Sequence, residues 1–139
     1  MFRFSALLGA ACLMSVAAYA ETVPFTATLN GASEVPANTT AGKGTATASL
    51  DTATKVLTYS VEYSGLTGPA TAGHLHGPAA AGANAGVAVP FASAATPIKG
   101  TATLTDAQIA DLMAGKYYAN IHTAANPGGE IRGQVTRGR

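Results

Sequence analysis

Apolar residues alternate with small or polar residues along most of this chain, and this is the period of strands that bury one face. Turn-forming pairs such as Asn30-Gly31 and Gly77-Pro78 separate the alternating runs. Many short strands at such spacing predict an all-β fold, a Greek-key β-sandwich or barrel of about eight strands. The predicted strands are Thr22–Asn30, Gly44–Leu50, Val56–Tyr63, Ala72–His76, Val87–Phe91, Ile98–Thr103, Tyr117–His122 and Glu130–Thr136.

One segment near the C-terminal third departs from this alternation and predicts a short helix, Thr105–Gly115. Thr105 and Gln108 stand in the two positions of a capping box, and Gly115 supplies a C-terminal stop. The apolar side chains at helical spacing are expected to close one end of the sandwich. Residues 79–86, which are rich in Ala, Gly and Asn, predict a flexible loop.

Residues 1–20 have the features of a cleaved secretory signal peptide. Arg3 supplies an early positive charge, an apolar run extends from Phe4 to Val16, and Ala18-Tyr19-Ala20 is a small-x-small cleavage signature. The run is shorter than the roughly 20 apolar residues of a membrane-spanning helix. We therefore expect export to the periplasm or the extracellular medium, no stable membrane insertion, and one domain over residues 21–139.

Charge and cysteine content narrow the classes of function. Arg3 lies in the predicted signal peptide, so the mature chain would carry seven basic and seven acidic residues. Binding to nucleic acid requires clustered Lys and Arg, so no nucleic-acid partner is expected. Cys12, the single cysteine, also lies in the predicted signal peptide, so the mature chain would contain no disulfide.

The candidate chemistry concentrates in the three histidines of the chain, His74, His76 and His122. Alternate residues of a strand share a face about 6.5–7 Å apart, which suits two imidazole nitrogens each about 2 Å from one ion. Three imidazoles without a thiolate suit copper or zinc, and copper has the higher intrinsic affinity. The sequence therefore predicts one copper ion bound by three imidazoles. Zinc is the lesser alternative, and a zinc hydrolase would use Glu130 as its general base.

Two neighbouring strands are expected to place further polar residues beside the histidines. Tyr118 and Asn120 share the face of His122. A hairpin would set Asn120 near Arg132, with Glu130 close to His122. Asn120 would either orient an imidazole or support strand pairing. Arg132 would place a fixed positive charge beside the site or form a surface salt bridge with Glu130, and Tyr118 would pack over the rim.

Four motifs of the chain carry a family resemblance: Leu29–Gly31 with Glu34–Pro36, Gly73–Pro78, Tyr118–Thr123 and Asn126–Gln134. Together they resemble the CHRD (chordin) domain family in its bacterial stand-alone form. The resemblance covers nearly the whole mature chain. In animals, similar domains occur in chordin, an extracellular antagonist of growth factors, and that role is not expected to transfer to a bacterial protein.

The His-x-His pair is also similar to the copper site of copper-zinc superoxide dismutases. This resemblance implies that His74, His76 and His122 are copper ligands and that Arg132 guides the anionic substrate, superoxide. No histidine remains to bridge to zinc, so such an enzyme would be copper-only and mononuclear. The implied function is an exported dismutase that converts superoxide to oxygen and hydrogen peroxide. An exported copper carrier or buffer without turnover stays open, as does an interaction module in which the histidines have no role.

Overall fold

The computed structural model describes residues 12–15 and 19–138. The predicted signal peptide lies largely outside the described residues, so its cleavage stays a prediction. All predicted strands and the helix are present, and the strand bounds differ from those predicted by at most two residues at either end. In chain order the elements are β1 Thr22–Asn30, β2 Lys43–Asp51, β3 Val56–Ser64, β4 Ala70–His76, β5 Val87–Pro90, β6 Ile98–Thr103, α1 Asp106–Met113, β7 Tyr117–Thr123 and β8 Ile131–Arg137.

The strands form a single antiparallel sheet in the order β5-β4-β7-β8-β1-β2-β3-β6. The chain crosses from one part of the sheet to another between β3 and β4, between β5 and β6, and between β6 and β7. The sheet curls until its ends nearly meet: the rings of Tyr59 on β3 and Phe91 after β5 lie 4.9 Å apart. The Tyr59 hydroxyl also accepts a hydrogen bond of 3.0 Å from the Ala92 N–H. The predicted all-β, barrel-like fold is confirmed.

The core fills the inside of this barrel because the inward residues of each strand are apolar. Strand β1 shows strict alternation between exposed and buried positions up to Leu29. Each fully buried side chain of Val, Leu, Ile or Phe contributes about 1.5–3 kcal/mol relative to an exposed one. The largest apolar side chains with under 2 % exposure are Val23, Leu29, Leu50, Leu57, Val61, Ile98, Leu112, Tyr117, Ile121 and Ile131.

Helix α1 has the predicted capping box. The Thr105 hydroxyl accepts a hydrogen bond of 3.2 Å from the Gln108 N–H, and the Gln108 side-chain oxygen accepts one of 2.9 Å from the Thr105 N–H. Leu112 is buried in the core, and Met113 packs against it. Within the described part of the chain, no helix has the length and apolar character needed to cross a membrane.

Strand β7 is buried on both faces, although its sequence predicts one polar face. All seven of its residues are buried. Its core face includes Tyr117 and Ile121, while loops cover the face that carries Tyr118, Asn120 and His122. The candidate site therefore lies between the outer face of the sheet and a layer of loops.

The loop of residues 77–86 is one of these covers, and it is held more firmly than its composition predicted. The Gly77 N–H donates to the Gly86 carbonyl at 3.2 Å, and the Ala79 N–H donates to the Lys116 carbonyl at 2.8 Å. Further bonds join the loop to side chains of β7 and β8. A loop fixed at both ends and in the middle can supply rigid backbone partners to the side chains beneath it.

Candidate metal centre

Neighbouring strands carry the three histidines. His74 and His76 lie on β4, and His122 lies on the adjacent β7. The alternation of β4 sends both of its histidines to the loop-covered face and sends Leu75 into the core. In the register of the two strands, Ala72 lies opposite His122, and His74, two residues further along β4, lies opposite Asn120. The pairing of β4 with β7 therefore brings together residues that are distant in sequence.

The three imidazoles converge to the spacing of one ion. Nδ1 of His74 lies 3.0 Å from Nε2 of His122. One nitrogen from each of the three rings lies within 4.8 Å of the other two. Three nitrogens that each lie about 2.1 Å from one ion are about 3.4–3.6 Å apart at tetrahedral or trigonal angles, so closure brings any pair closer by about 1.4 Å at most. The residues present therefore fit a mononuclear metal site.

Backbone carbonyls set the tautomers of two imidazoles. Nδ1 of His76 lies 3.0 Å from the carbonyl oxygen of Ala85, and Nδ1 of His122 lies 2.9 Å from that of Pro127. Because a carbonyl can only accept, each Nδ1 carries the proton and each Nε2 keeps its lone pair. Among the described residues, Nε2 of His76 is the buried side-chain nitrogen or oxygen left without a hydrogen-bond partner.

The electrostatic surroundings keep two of these histidines neutral. Burial lowers the pKa of His74, and the neighbouring His122 and His76 lower it further. Burial also lowers the pKa of His76, partly offset by its hydrogen bond to Ala85. Metal ligation requires neutral imidazole, so these shifts favour the form that can bind an ion at neutral pH.

Tyr118 and Arg132 stack on His76 in consecutive layers. The rings of His76 and Tyr118 are parallel within 4°, with centroids 4.9 Å apart. The guanidinium carbon of Arg132 lies 4.0 Å from the centroid on the Tyr118 ring. Tyr118 therefore packs beside the histidines as predicted from its face of the strand, and its ring lies between Arg132 and His76.

Arg132 is 4 % exposed, and its partners lie within the protein. Its Nε donates to Glu34 Oε2 at 3.1 Å, its Nη1 to the Ala83 carbonyl at 3.1 Å, and its Nη2 to Asn84 Oδ1 at 2.7 Å. The surface salt bridge with Glu130, one of the two alternatives predicted for Arg132, is not formed, because the loop after β1 brings Glu34 to the guanidinium instead. Arg132 is therefore part of a buried ion pair.

Asn120 lies opposite Arg132, as the predicted hairpin requires. Its Nδ2 donates to Glu34 Oε1 and, at 2.9 Å, to the Ile131 carbonyl. Its side-chain partners are thus a carboxylate and a backbone carbonyl, while the imidazoles of His76 and His122 bond to backbone carbonyls. Asn120 supports the strand pair and the buried carboxylate.

Glu130 directly precedes β8, at the end of the hairpin loop that follows β7. It is fully buried. Burial alone would raise the pKa of Glu130, but hydrogen bonds from Thr67, Thr123 and Thr40 outweigh it and lower the pKa to about 2. The carboxylate also accepts a bond of 3.0 Å from Asn126 Nδ2. Glu130 thus joins three loops to the sheet, and its oxygens are occupied by these donors.

A sequence model of the CHRD domain matches residues 25–135, which include the three histidines and Arg132. The chain belongs to the CHRD domain family. The searches of curated proteins and of solved structures returned no match.

Sequence reasoning missed two parts of this CHRD domain's site. Glu34 is buried beside Arg132, but the sequence identified it only as part of the opening motif Glu34–Pro36 and indicated no role for it. Residues 83–85 supply partners to Arg132 and His76 through two backbone carbonyls and one amide side chain. Carbonyls are present in every residue, so a sequence pattern carries no trace of such contacts.

Proposed function

We propose that this CHRD domain binds one copper ion through Nδ1 of His74 and the Nε2 atoms of His76 and His122. The observation that supports it most strongly is Nε2 of His76, which is buried and without a hydrogen-bond partner among the described residues. A buried polar atom left unbonded costs about 1–3 kcal/mol. A metal ion shared with the other two imidazoles would supply the missing bond.

The donor set favours copper over zinc. The cluster consists of three imidazoles, with no carboxylate or thiolate in it among the described residues. Neutral imidazole suits both metals, and copper binds such ligands with the higher intrinsic affinity. A zinc hydrolase would also need a general base near the ion. Glu130 is a poor base for that reaction, because Thr and Asn side chains hold it as a stable carboxylate.

Superoxide dismutation is the second candidate, and the partial exposure of His74 favours it. Three protein ligands leave a coordination position free, and an exposed ligand places that position within reach of a small anion. Copper would supply one-electron chemistry, by which one superoxide is oxidised to oxygen and another, with two protons, is reduced to hydrogen peroxide. The chain would hold the three ring nitrogens fixed throughout.

A carrier or buffer role draws support from Arg132. Its guanidinium is neutralised by Glu34 and is almost entirely buried. An anion guide acts through an uncompensated charge facing solvent, which raises the local concentration of the anion. Copper binding is therefore the function that the geometry supports best, with turnover as a separate question. We propose that the protein acts outside the cytoplasm, because residues 1–20 have the features of a signal peptide.

The test is a copper titration of the purified protein against a competing chelator, with His76→Ala, His74→Ala and His122→Ala as variants. We expect one copper ion per chain in the parent and a loss of affinity of at least about 100-fold in each variant, because each removes one of three ligands. Gln134→Ala is a matched control, since it removes a half-buried polar side chain whose bonds go to the Ala79 and Gly115 carbonyls. A parent without copper affinity, or variants that bind as tightly as the parent, would contradict the proposal.

Turnover is tested separately by superoxide consumption. The copper-loaded parent would consume superoxide catalytically if the second candidate is correct, and His76→Ala would not. Copper binding without consumption would leave the carrier function. Raising the ionic strength should leave the rate nearly unchanged, because Arg132 is already paired with Glu34. A steep fall of the rate with salt would instead indicate guidance by an unpaired charge.

A further inference from the structure

We propose that Arg132 is a positioning residue: by holding residues 83–85 and the ring of Tyr118, it keeps His76 in the tautomer that leaves Nε2 free to bind a ligand. This inference rests on the proposed metal site, and it names the residues that orient the His76 imidazole within that site. It assigns Arg132 a role different from the guidance of an anion.

The last link of this arrangement is the Ala85 carbonyl, which accepts the Nδ1 proton of His76 at 3.0 Å. The Tyr118 hydroxyl fixes the backbone of Ala85 at both its N–H and its carbonyl. It accepts a hydrogen bond from the Ala85 N–H at 3.1 Å and donates to the Ala85 carbonyl at 3.2 Å. A shift of the loop would remove the acceptor from Nδ1, and the proton could then move to Nε2, where it would block ligation.

Arg132 anchors the same loop two residues earlier. It donates to the Ala83 carbonyl at 3.1 Å and to Asn84 Oδ1 at 2.7 Å, and its guanidinium carbon lies over the Tyr118 ring, 4.0 Å from the ring centroid. A planar guanidinium can make these contacts together, whereas a lysine ammonium cannot reproduce the fork or the stack. Arg132 on β8 therefore holds the Tyr118 ring and the loop of residues 83–85, and these two in turn hold the His76 imidazole in one orientation.

Glu34 and Asn120 fix Arg132 in turn. The side chains of Arg132 and Glu34 are 5 % and 2 % exposed, and their nearest atoms lie 3.1 Å apart. Asn120 donates both to Glu34 and to the Ile131 carbonyl, and it pairs with Arg132 across β7 and β8. This network of contacts thus starts from side chains on β7 and β8 and ends at Nδ1 of His76.

Three variants test this role without removing a histidine. Tyr118→Phe keeps the stack and removes the hydroxyl that fixes Ala85. Asn84→Ala removes an exposed loop partner of Arg132, so folding should be little affected. Arg132→Lys keeps a positive charge opposite Glu34 and removes the paired guanidinium hydrogen bonds to Ala83 and Asn84. Tyr59→Phe is the matched control, because Tyr59 is also a buried tyrosine whose hydroxyl accepts from a loop N–H, that of Ala92.

Two measurements are made on each protein: the tautomer of each imidazole by nitrogen-15 NMR without metal, and the copper affinity by chelator competition. In the parent and in Tyr59→Phe, we expect His76 to carry its proton on Nδ1. In the three test variants, we expect a mixture of tautomers at His76 and a loss of copper affinity of about 10–100-fold.

The outcomes separate this inference from the proposed function. Test variants that keep both the parent tautomer and the parent affinity would overturn the positioning role, even if copper binds. A parent that binds no copper would refute the proposed function, while the NMR measurement would still decide the positioning role. Equal losses in Tyr59→Phe would show a general effect of a lost tyrosine hydroxyl and would also overturn it.

Discussion

The buried carboxylate of Glu130 should make the stability of this protein depend on pH in a defined window. The substitution Glu130→Gln keeps the shape of the side chain and removes its charge. In the parent, the carboxylate accepts hydrogen bonds from the Thr40 hydroxyl at 2.9 Å, the Thr67 N–H at 3.0 Å and the Thr123 hydroxyl at 2.8 Å. Hydrogen bonds to a charged acceptor are worth more than neutral ones, so their loss is costly.

The magnitude follows from the pKa of Glu130. Hydrogen bonds outweigh the effect of burial and lower this pKa from an ordinary 4.5 to about 2. At about 1.4 kcal/mol per pKa unit, the difference corresponds to about 3 kcal/mol. A lowered carboxylate pKa gives stability that is fully present above the unfolded pKa and is lost as pH falls through the folded pKa. We expect Glu130→Gln to lower the free energy of unfolding by about 2–3 kcal/mol at pH 7.

Urea unfolding of the parent and Glu130→Gln between pH 7 and pH 3 measures this effect. The difference between them should be constant above pH 5 and should shrink to less than half by pH 3. Subtracting one protein from the other removes the opposite contribution of Glu34, whose pKa burial raises. Glu62→Gln, on the exposed side of β3, is the control and should change stability by less than about 0.5 kcal/mol. A difference that stays constant down to pH 3 would refute the reasoning.

Three further outcomes are expected in unfolding measurements. Gly133→Ala should destabilise by about 2–3 kcal/mol, because the new methyl group would collide with the Thr28 carbonyl, whereas Gly128→Ala meets open space and should cost little. Thr105→Ala should cost about 1 kcal/mol through loss of the helix cap, and an unchanged midpoint would contradict that assignment. Copper at about 100 times the parent's dissociation constant should stabilise the parent by about 2.7 kcal/mol, and it should stabilise His76→Ala by less than about 0.5 kcal/mol because of the weaker binding.

The strands could be predicted from the sequence because their signal is local. In β1, every second residue from Val23 to Leu29 is buried, and that alternation is visible in the sequence itself. The helix was predicted with its N-cap for the same reason, since Thr105 and Gln108 are only three residues apart. The face shared by Tyr118, Asn120 and His122 also followed from strand geometry alone.

The partners of Arg132 could not be predicted, because they depend on pairing between the two ends of the chain. Asn30 at the end of β1 lies opposite Arg132 on β8, and the loop that follows β1 then brings Glu34 to the guanidinium. The expected partner, Glu130, precedes β8 and follows the hairpin loop, so the alternation of the strand does not govern its direction. Its carboxylate therefore meets threonines from other loops.

Main-chain oxygens orient two of the three imidazoles, which has a consequence for how such a protein can vary. Replacing the side chain of Ala85 or Pro127 leaves the acceptor oxygen in place, so many residue types would preserve the hydrogen bonds to His76 and His122. Adding or deleting a single residue in either loop would displace that oxygen by about 3–4 Å and abolish the contact. Variants of this chain should therefore tolerate substitutions at these two positions far better than insertions or deletions in the two loops.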